Sequence, residues 1–499
     1  MRTSSYVVYI DLPEDRDNML LVHGYTGAYD RVSRSVATFL KSREKAEVAR
    51  PLYGSWRTEF AASESARQPD DSTVDTLRRR GYLTSLSADD ERSLVGRLAE
   101  TAHQYKTDAA PQYIIMPTYN CNLRCSYCFQ DHMRTDPSYG HLLSTMTLAM
   151  AERIIKAVPQ VESLHKLQRS PDAKRRVGFF GGEPFLAANR PVVEYLVSSF
   201  RALGPTALWA VTNGTELEHY KDLLSPDVIA SLQITLDGIP AEHDRRRVYP
   251  DGSGSFERIA RNIDLALGNG VAISIRLNLD RRNVTQLPEL AGIFESRGWT
   301  QHRRFGVYCA PIRAANANVG KSDTFNSHEL HLAVADLRDR FPAISVVQTP
   351  SDPVRRAARA VFAGSAPSRL MLKESFCGAH TGMYIFDSFG DIYACWERTG
   401  DPAIRMGKIA ADGQVELNAD VVKVWRTRTV ASNPVCNKCK YQFHCGGGCA
   451  VLAEAKTGAY HMNYCDAFAA RFRSSVAVAY VESLAGTPAQ TDNELICDM

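Results

Sequence analysis

Pro117-Thr118-Tyr119-Asn120-Cys121-Asn122-Leu123-Arg124-Cys125-Ser126-Tyr127-Cys128 decides how this chain is read. It ends a short apolar run, residues 113–117, that reads as a strand. Its cysteines are spaced C-x3-C-x2-C. In an iron–sulfur cubane each iron takes one thiolate, so three thiolates leave one iron open to a substrate or cofactor. The competing reading is structural zinc. Zinc closes its shell with four ligands, and beyond the triplet only His132 lies nearby.

Outward from this stretch, strands and helices alternate. Candidate strands are 113–117, 177–180, 208–212, 232–236, 272–279 and 305–310. Candidate helices are 147–158, 191–203, 217–229, 256–267 and 287–296, with apolar residues every three or four positions. Six strands alternating with helices predict a parallel sheet. The fold class is α/β, with a partial (β/α)6 TIM-like barrel over 109–312 whose chemistry sits at the C-terminal strand ends. Residues 1–108 are expected to form a small, separate N-terminal α+β domain. In it, the apolar runs 7–10 and 19–22 read as a hairpin, and Val32, Val36, Phe39 and Leu40 recur at helical spacing. A loop is expected over 61–72 and helical turns over 74–103. A connecting segment, 313–375, opens with a loop over 314–327 and carries candidate helices 328–340 and 353–362. A cysteine-rich C-terminal domain, 376–484, ends in a helix from 466, and 485–499 is a tail.

Composition narrows the class. A chain of 499 residues suits two or three domains at roughly 150 residues each. Hydrophobic content of 44% with 23% charged residues excludes global disorder. A net charge of +3 gives no argument for a nucleic-acid or membrane partner. The runs Arg78-Arg79-Arg80, Lys174-Arg175-Arg176 and Arg245-Arg246-Arg247 read as solvated faces. No signal-peptide pattern opens the chain and no stretch of about 18 apolar residues occurs, so a cytoplasmic location is expected. There, clustered cysteines bind metal more often than they pair.

The triplet, with Tyr127 before its last cysteine, resembles the signature of the radical S-adenosylmethionine (SAM) superfamily. Phe179-Phe180-Gly181-Gly182-Glu183-Pro184 is similar to the family's GGEP element, which contacts the amino group of SAM. Adjacent glycines let a backbone approach a ligand closely. Thr212-Asn213-Gly214-Thr215, Leu236-Asp237-Gly238, Glu242-His243-Asp244 with Arg247, and Arg276 with Asn278 also resemble the family, in which some such positions contact the SAM carboxylate or ribose. Taken alone, Asn-Gly and Asp-Gly are also plain turns. The match spans residues 110–312. It implies an open iron that chelates SAM, one electron passed into the sulfonium, and a 5′-deoxyadenosyl radical.

A second array follows. Cys377 precedes Gly390 and Cys395; then come Cys436-x2-Cys439-x5-Cys445-x3-Cys449 and, after fifteen intervening residues, Cys465. This resembles the SPASM extension of radical SAM enzymes. The resemblance implies two auxiliary 4Fe–4S clusters, the first on Cys377, Cys395 and Cys449, the second on Cys436, Cys439, Cys445 and Cys465. With the triplet that makes three 4Fe–4S clusters besides SAM. Some relatives add a cysteine shortly before the Cys377 position; residues 371–376 contain none, so the first auxiliary cluster keeps an open iron or recruits Cys309. Standing alone, C-x2-C-x5-C-x3-C would also suit zinc. Cys497 has no part in the pattern.

SPASM enzymes mostly modify peptides or proteins. Those that mature sulfatases carry a proton-accepting Asp directly after the Cys395 position; here it is Trp396, next to Glu397, and an indole cannot take a proton. The N-terminal hairpin and helices resemble a PqqD-like domain, which binds a leader peptide by adding a strand. The expected activity is oxidative modification of a ribosomally synthesised precursor peptide, as a cross-link. The partners are that peptide and an electron donor such as flavodoxin or ferredoxin. The alternatives are a formylglycine-forming sulfatase maturase and a non-catalytic iron–sulfur electron carrier, against which the Gly181–Pro184 element speaks. A tRNA-modifying enzyme would want a basic accessory domain that the chain does not supply.

Overall fold

The computed structural model describes residues 1–44, 66–167, 169–313, 319–365 and 372–485. Parts of the expected loops, 61–65 and 314–318, and the tail beyond 485 with Cys497 lie outside the described residues. The chain divides into two compact units. One is drawn from Met1–Lys106, Ser351–Cys377 and Thr427–Gln490, the other from Thr107–Pro350 and Gly378–Arg426. The stretch expected to stand apart at the N-terminus therefore shares a unit with most of the C-terminal cysteines. The expected domain 376–484 divides between the two units.

In the first unit, β1 (Val7–Asp11), β2 (Asn18–His23) and β3 (Tyr29–Ser33) form an antiparallel sheet in that order. Val7 lies opposite His23 and Val22 opposite Tyr29. The first two strands read as unbroken apolar runs because both faces are covered. Val7, Tyr9, Met19 and Leu21 pack with Ala37, Phe39 and Leu40 of the helix Arg34–Ser42. Val8, Ile10, Leu20 and Val22 point the other way, as the two-residue period of a strand requires, and pack with Phe468, Phe472 and Val476 of the helix Phe468–Leu484. Val32, expected on a helix, lies on β3. The helix starts two residues later, at Arg34, where the Ser33 side chain accepts from the Val36 N–H and caps it.

The second unit is built on one sheet. β4 (Gln112–Ile115), β5 (Arg175–Phe179), β6 (Thr206–Thr212), β7 (Ile229–Thr235), β8 (Ala272–Leu279) and β9 (Phe305–Pro311) are parallel neighbours in chain order. This is the expected six-stranded α/β partial barrel. β10 (Val347–Gln348) adds to the β9 edge, and β11 (Met383–Phe386) pairs in parallel with β4. β12 (Asp391–Tyr393), β13 (Gly407–Ile409) and β14 (Val415–Leu417) continue antiparallel, so the sheet ends openly at β10 and β14.

Helices Leu148–Ser163, Arg190–Ala202, Phe256–Gly268 and Leu287–Ser296 lie where the periodicity places them. The helix expected over 217–229 does not form. Leu217–Tyr220 is a single 3-10 turn, and Ile229 already opens β7. Pro226 lacks an N–H and pushes Ser225 out of helical conformation. Leu217, Tyr220 and Leu224 are nevertheless buried, so their spacing imitates a helix. The basic runs also need correcting. Arg78, Arg79 and Arg80 are exposed, but Arg175 is buried against Glu162, and Arg246 and Arg247 are 4% and 7% exposed. Among the described residues no helix is long and apolar enough to cross a membrane.

One contact ties the β11–β12 hairpin to the cysteine loop. Asp387 Oδ1 accepts from the N–H groups of Phe389 and Asp391, both at 2.9 Å, and Oδ2 accepts from the Tyr119 hydroxyl at 2.9 Å. Burial, with Asp391 close by, pushes this carboxyl from 3.8 up to about 7. The unfolded chain ionises near the lower value and the folded one near the higher, so native stability falls as pH rises between them. Asp387→Asn removes that dependence. Its urea midpoint relative to wild type is expected to climb from about pH 4 to about pH 7 and then level off; equal pH profiles for the two proteins would refute the assignment.

Candidate metal centre and cofactor site

Parallel strands in chain order bring their C-terminal ends together along one edge of the sheet. β4 runs into Cys121, Cys125, Tyr127 and Cys128; β5 into Gly181, Gly182, Glu183 and Pro184; β6 into Asn213; β7 into Asp237. Arg276 and Asn278 lie on the last turns of β8.

The loops after β4 and β5 are clamped backbone to backbone. Gly182 N–H donates to Thr118 O at 3.0 Å, and Glu183 N–H donates to Asn120 O at 2.8 Å. Gly181 has φ +141°, and an added Cβ would lie 2.5 Å from Thr118 O; on Gly182 it would lie 2.2 Å from Asn120 O. The two glycines thus allow the turn to approach the cysteine loop itself. Glu183 faces inward. Its carboxylate accepts from Thr212 Oγ1 and Asn213 N–H, both at 2.6 Å, and from Phe185 N–H at 2.9 Å. Burial pushes it up to about 7, against the pull of those three donors. Pro184 follows, its carbonyl accepting from Asn189 Nδ2 at 3.1 Å.

Donors point at the sulfurs. Leu123 N–H and Asn213 Nδ2 lie 3.4 and 3.7 Å from Cys121 Sγ, and Arg134 Nη2 lies 3.0 Å from Cys128 Sγ. Cys125 sits opposite Arg247 in a short antiparallel pairing. Burial raises the thiols of Cys121 and Cys125, the second to about 12. Thiolates in this place call for positive charge, which irons supply. The Nε atoms of Arg134 and Arg247 are buried without a hydrogen-bond partner. Sulfur-directed donors and buried guanidinium nitrogens suit an anionic cluster with an anionic ligand beside it.

Tyr127 is fixed by a polar network. Its hydroxyl bonds to Asp237 Oδ2 and accepts from Arg247 Nη1 at 2.9 Å and Asn278 Nδ2 at 3.2 Å. Asn278 N–H donates to Asp237 Oδ1 at 3.1 Å, and Arg276 Nε donates to Asn278 Oδ1 at 2.9 Å. Burial raises the Asp237 carboxyl, and the Arg247 cation opposes the rise. Asn213 Oδ1 accepts from the Thr215 N–H at 2.9 Å, and its Nδ2 donates to Asn122 Oδ1 at 2.8 Å. Arg247, which reads from sequence both as part of a basic run and as a position resembling the family, is buried in this network; no motif marks Arg134 or the side-chain role of Asn122. A cation six residues after Cys128 is the signal that could have found Arg134.

The first unit holds the second array. Burial, with neighbouring thiols, raises Cys436, takes Cys439 up to about 12 and Cys445 up to about 11; Cys465 contributes to all three. Gly446, Gly447 and Gly448 have φ of 72°, 83° and 76°. A Cβ on Gly446 would lie 2.6 Å from Ser375 O, and one on Gly448 1.9 Å from Tyr464 O. The turn from Cys445 to Cys449 therefore passes between the chain before Cys377 and the chain before Cys465. Asn433 Oδ1 accepts from Cys436 N–H at 3.0 Å, and Asn463 Nδ2 lies 3.0 Å from Cys465 Sγ. Cys377 and Cys449 belong to this unit, Cys395 to the other. Cys395 follows the β11–β12 hairpin, and the next ring, Trp396, packs 5.3 Å from that of Phe180, just before Gly181. Cys309 is buried in β9 opposite Leu277. Among the described residues no three His, Cys, Asp or Glu side chains are grouped to hold a single metal ion; a cubane spreads its thiolates wider, one to each iron. Gly182→Ala is expected to force Asn120 away and cost about four irons per chain after anaerobic reconstitution; an unchanged iron content would refute the clamp.

A family model described as a 4Fe-4S single cluster domain matches residues 114–258. Mycofactocin maturase MftC of Mycobacterium tuberculosis is 25% identical over 352 residues, which cover 68% of this chain and 78% of MftC. A cysteine-type anaerobic sulfatase-maturating enzyme of Clostridium novyi is 22% identical over 373 residues, 72% of this chain and 92% of that one. Among solved structures, native anSMEcpe with bound AdoMet has the same fold, with a TM-score of 0.55 at 17% identity over 76% of this chain and all of that one. With its cysteine loop at the strand ends and its second array, the chain is similar to radical SAM enzymes that carry a SPASM extension, and the likeness supports 4Fe–4S and SAM as cofactors.

Proposed function

We propose that this enzyme oxidatively modifies a ribosomally synthesised precursor peptide, joining two of its residues in a cross-link. The observation that carries the reading is the coexistence of a three-thiol loop at the barrel strand ends with a separate array of seven cysteines. Cys121, Cys125 and Cys128 would hold the cluster that binds SAM. Cys377, Cys395 and Cys449 would hold one auxiliary cluster, and Cys436, Cys439, Cys445 and Cys465 the other. When bound, these groups supply a hydrogen-abstracting 5′-deoxyadenosyl radical and an acceptor for the second electron of the oxidation.

The chain's own residues do the positioning. Gly181 and Gly182 keep the turn after β5 low beside the cysteine loop, and Glu183 fixes it to Asn213. Tyr127, locked by Asp237, Arg247 and Asn278, sets the loop's far side. Arg276 and Asn278, at the end of β8, would face the ribose or carboxylate of SAM. Arg134 offsets thiolate charge at Cys128.

Two features favour a peptide substrate. MftC is by name a maturase. In the first unit, β3 is an edge strand with Tyr29, Asp30 and Val32 partly exposed, and an edge strand is where an extended leader adds. Formylglycine formation loses ground at Trp396, where sulfatase maturases place their proton acceptor; the adjacent Glu397 is already paired with Arg313.

Anaerobic reconstitution is expected to give about twelve irons per chain, from three four-iron clusters. Changing Cys121, Cys125 and Cys128 together to Ala should remove about four of them and abolish deoxyadenosine formation. Stoichiometric zinc with little iron would sink the proposal. For the substrate, the enzyme is supplied with SAM, a reduced flavodoxin or ferredoxin and the peptide of any short open reading frame found beside its gene. Mass spectrometry should find that peptide lighter by two hydrogens. Conversion of a sulfatase-derived peptide to formylglycine, with the neighbouring peptide untouched, would restore the competing reading.

A further inference from the structure

Arg428 lies two residues beyond the helix Ala419–Arg426 and is 2% exposed. Its Nε donates to Tyr460 O at 2.6 Å, and its Nη2 donates to Met462 O at 2.9 Å and Gly447 O at 3.3 Å. Those carbonyls belong to the turn between Cys445 and Cys449 and to the approach to Cys465. An added Cβ on Gly447 would lie 3.7 Å from Cys436 Sγ and 3.8 Å from Arg428 Nη2, so sulfur and guanidinium flank the same glycine. Burial works against the charge on Arg428; Cys436, Cys377, Cys449 and Cys445 favour it. Two of these cysteines belong to each auxiliary set.

We propose that Arg428 is a positioning residue for the redox chemistry, its cation placed beside both auxiliary cysteine sets so that the clusters they hold accept an electron at a higher potential. The inference rests on the auxiliary-cluster reading above. A cubane held by thiolates is an anion, and reduction adds to its negative charge. Cluster potential therefore depends on net charge and hydrogen bonding around the sulfurs. Carbonyl acceptors orient the guanidinium without cancelling its charge. They also fix its plane, which a lysine ammonium would not reproduce, although lysine keeps the charge.

The test uses the full chain with Cys121, Cys125 and Cys128 changed to Ala, so that only the auxiliary irons report. Parent, Arg428→Gln and Arg428→Lys are reconstituted anaerobically and titrated by EPR. Arg428→Gln is expected to keep its iron and titrate at a more negative midpoint, with Arg428→Lys close to the parent. With the triplet intact, Arg428→Gln should form deoxyadenosine at the wild-type rate but yield several-fold less modified peptide per deoxyadenosine. Coincident midpoints for parent and Arg428→Gln, or equal shifts in both variants, overturn the proposal. Loss of auxiliary iron from Arg428→Gln but not from Arg428→Lys supports a role of charge; loss from both makes the residue architectural and overturns it. A parent that holds no iron once the triplet is gone would instead sink the auxiliary-cluster reading.

Discussion

Two backbone hydrogen bonds, from Gly182 and Glu183 to the carbonyls of Thr118 and Asn120, hold the cysteine loop against the next strand end. They are possible because neither glycine has a side chain to occupy the space the carbonyls fill. From there the connection passes along the sheet edge. Glu183 reaches the Asn213 N–H at the end of β6, and the Asn213 amide turns back toward Cys121 Sγ. The three strand ends form a closed ring of hydrogen bonds around the first thiol. The Glu183 carboxylate accepts three hydrogen bonds and the Asn213 amide is bonded at both ends, which keeps a buried carboxylate tolerable and the sulfur in one place.

Charge is managed locally. Thiols buried in a protein resist ionisation, so each cysteine group needs cations or donors of its own. At the triplet these are Arg134 and the donors on Cys121. Near Cys125, Arg247 is balanced by Asp237 and held by the Tyr127 hydroxyl. In the other unit Arg428 stands among carbonyls close to Cys436. Arg247 and Arg428 are buried and Arg134 half-buried, which distinguishes them from the many surface pairs of this chain, which stabilise little.

The barrel was legible because its strands and helices obey two different periods, and because three closely spaced cysteines suit an open cubane better than a closed zinc site. The features that sequence does not display have physical causes. Leu217, Tyr220 and Leu224 are spaced like a helix face but pack as separate anchors around a turn that Pro226 ends. Arg246 and Arg247 look like surface charge in a run of three; only folding brings Glu242 and Asp280 to the first and Tyr127 and Asp237 to the second. The glycine pair was expected to serve a ligand, and its closest neighbours are backbone carbonyls from a loop some sixty residues earlier. Long-range pairings of this kind leave no local trace. The unbroken apolar runs of β1 and β2 did carry a trace of two-sided burial, although the second partner, a helix at the far end of the chain, could not be read from them.

That two-sided sheet limits how the enzyme can be rearranged. Val8, Ile10, Leu20 and Val22 form the floor on which Phe468, Phe472 and Val476 rest, and Cys439 and Cys445 border the same apolar cluster. Shortening the protein from its amino end would strip the cover from this patch and loosen the scaffold of the second cysteine array. The amino-terminal segment is therefore no detachable module. Grafting a foreign recognition domain in its place would require refitting the carboxy-terminal helix as well.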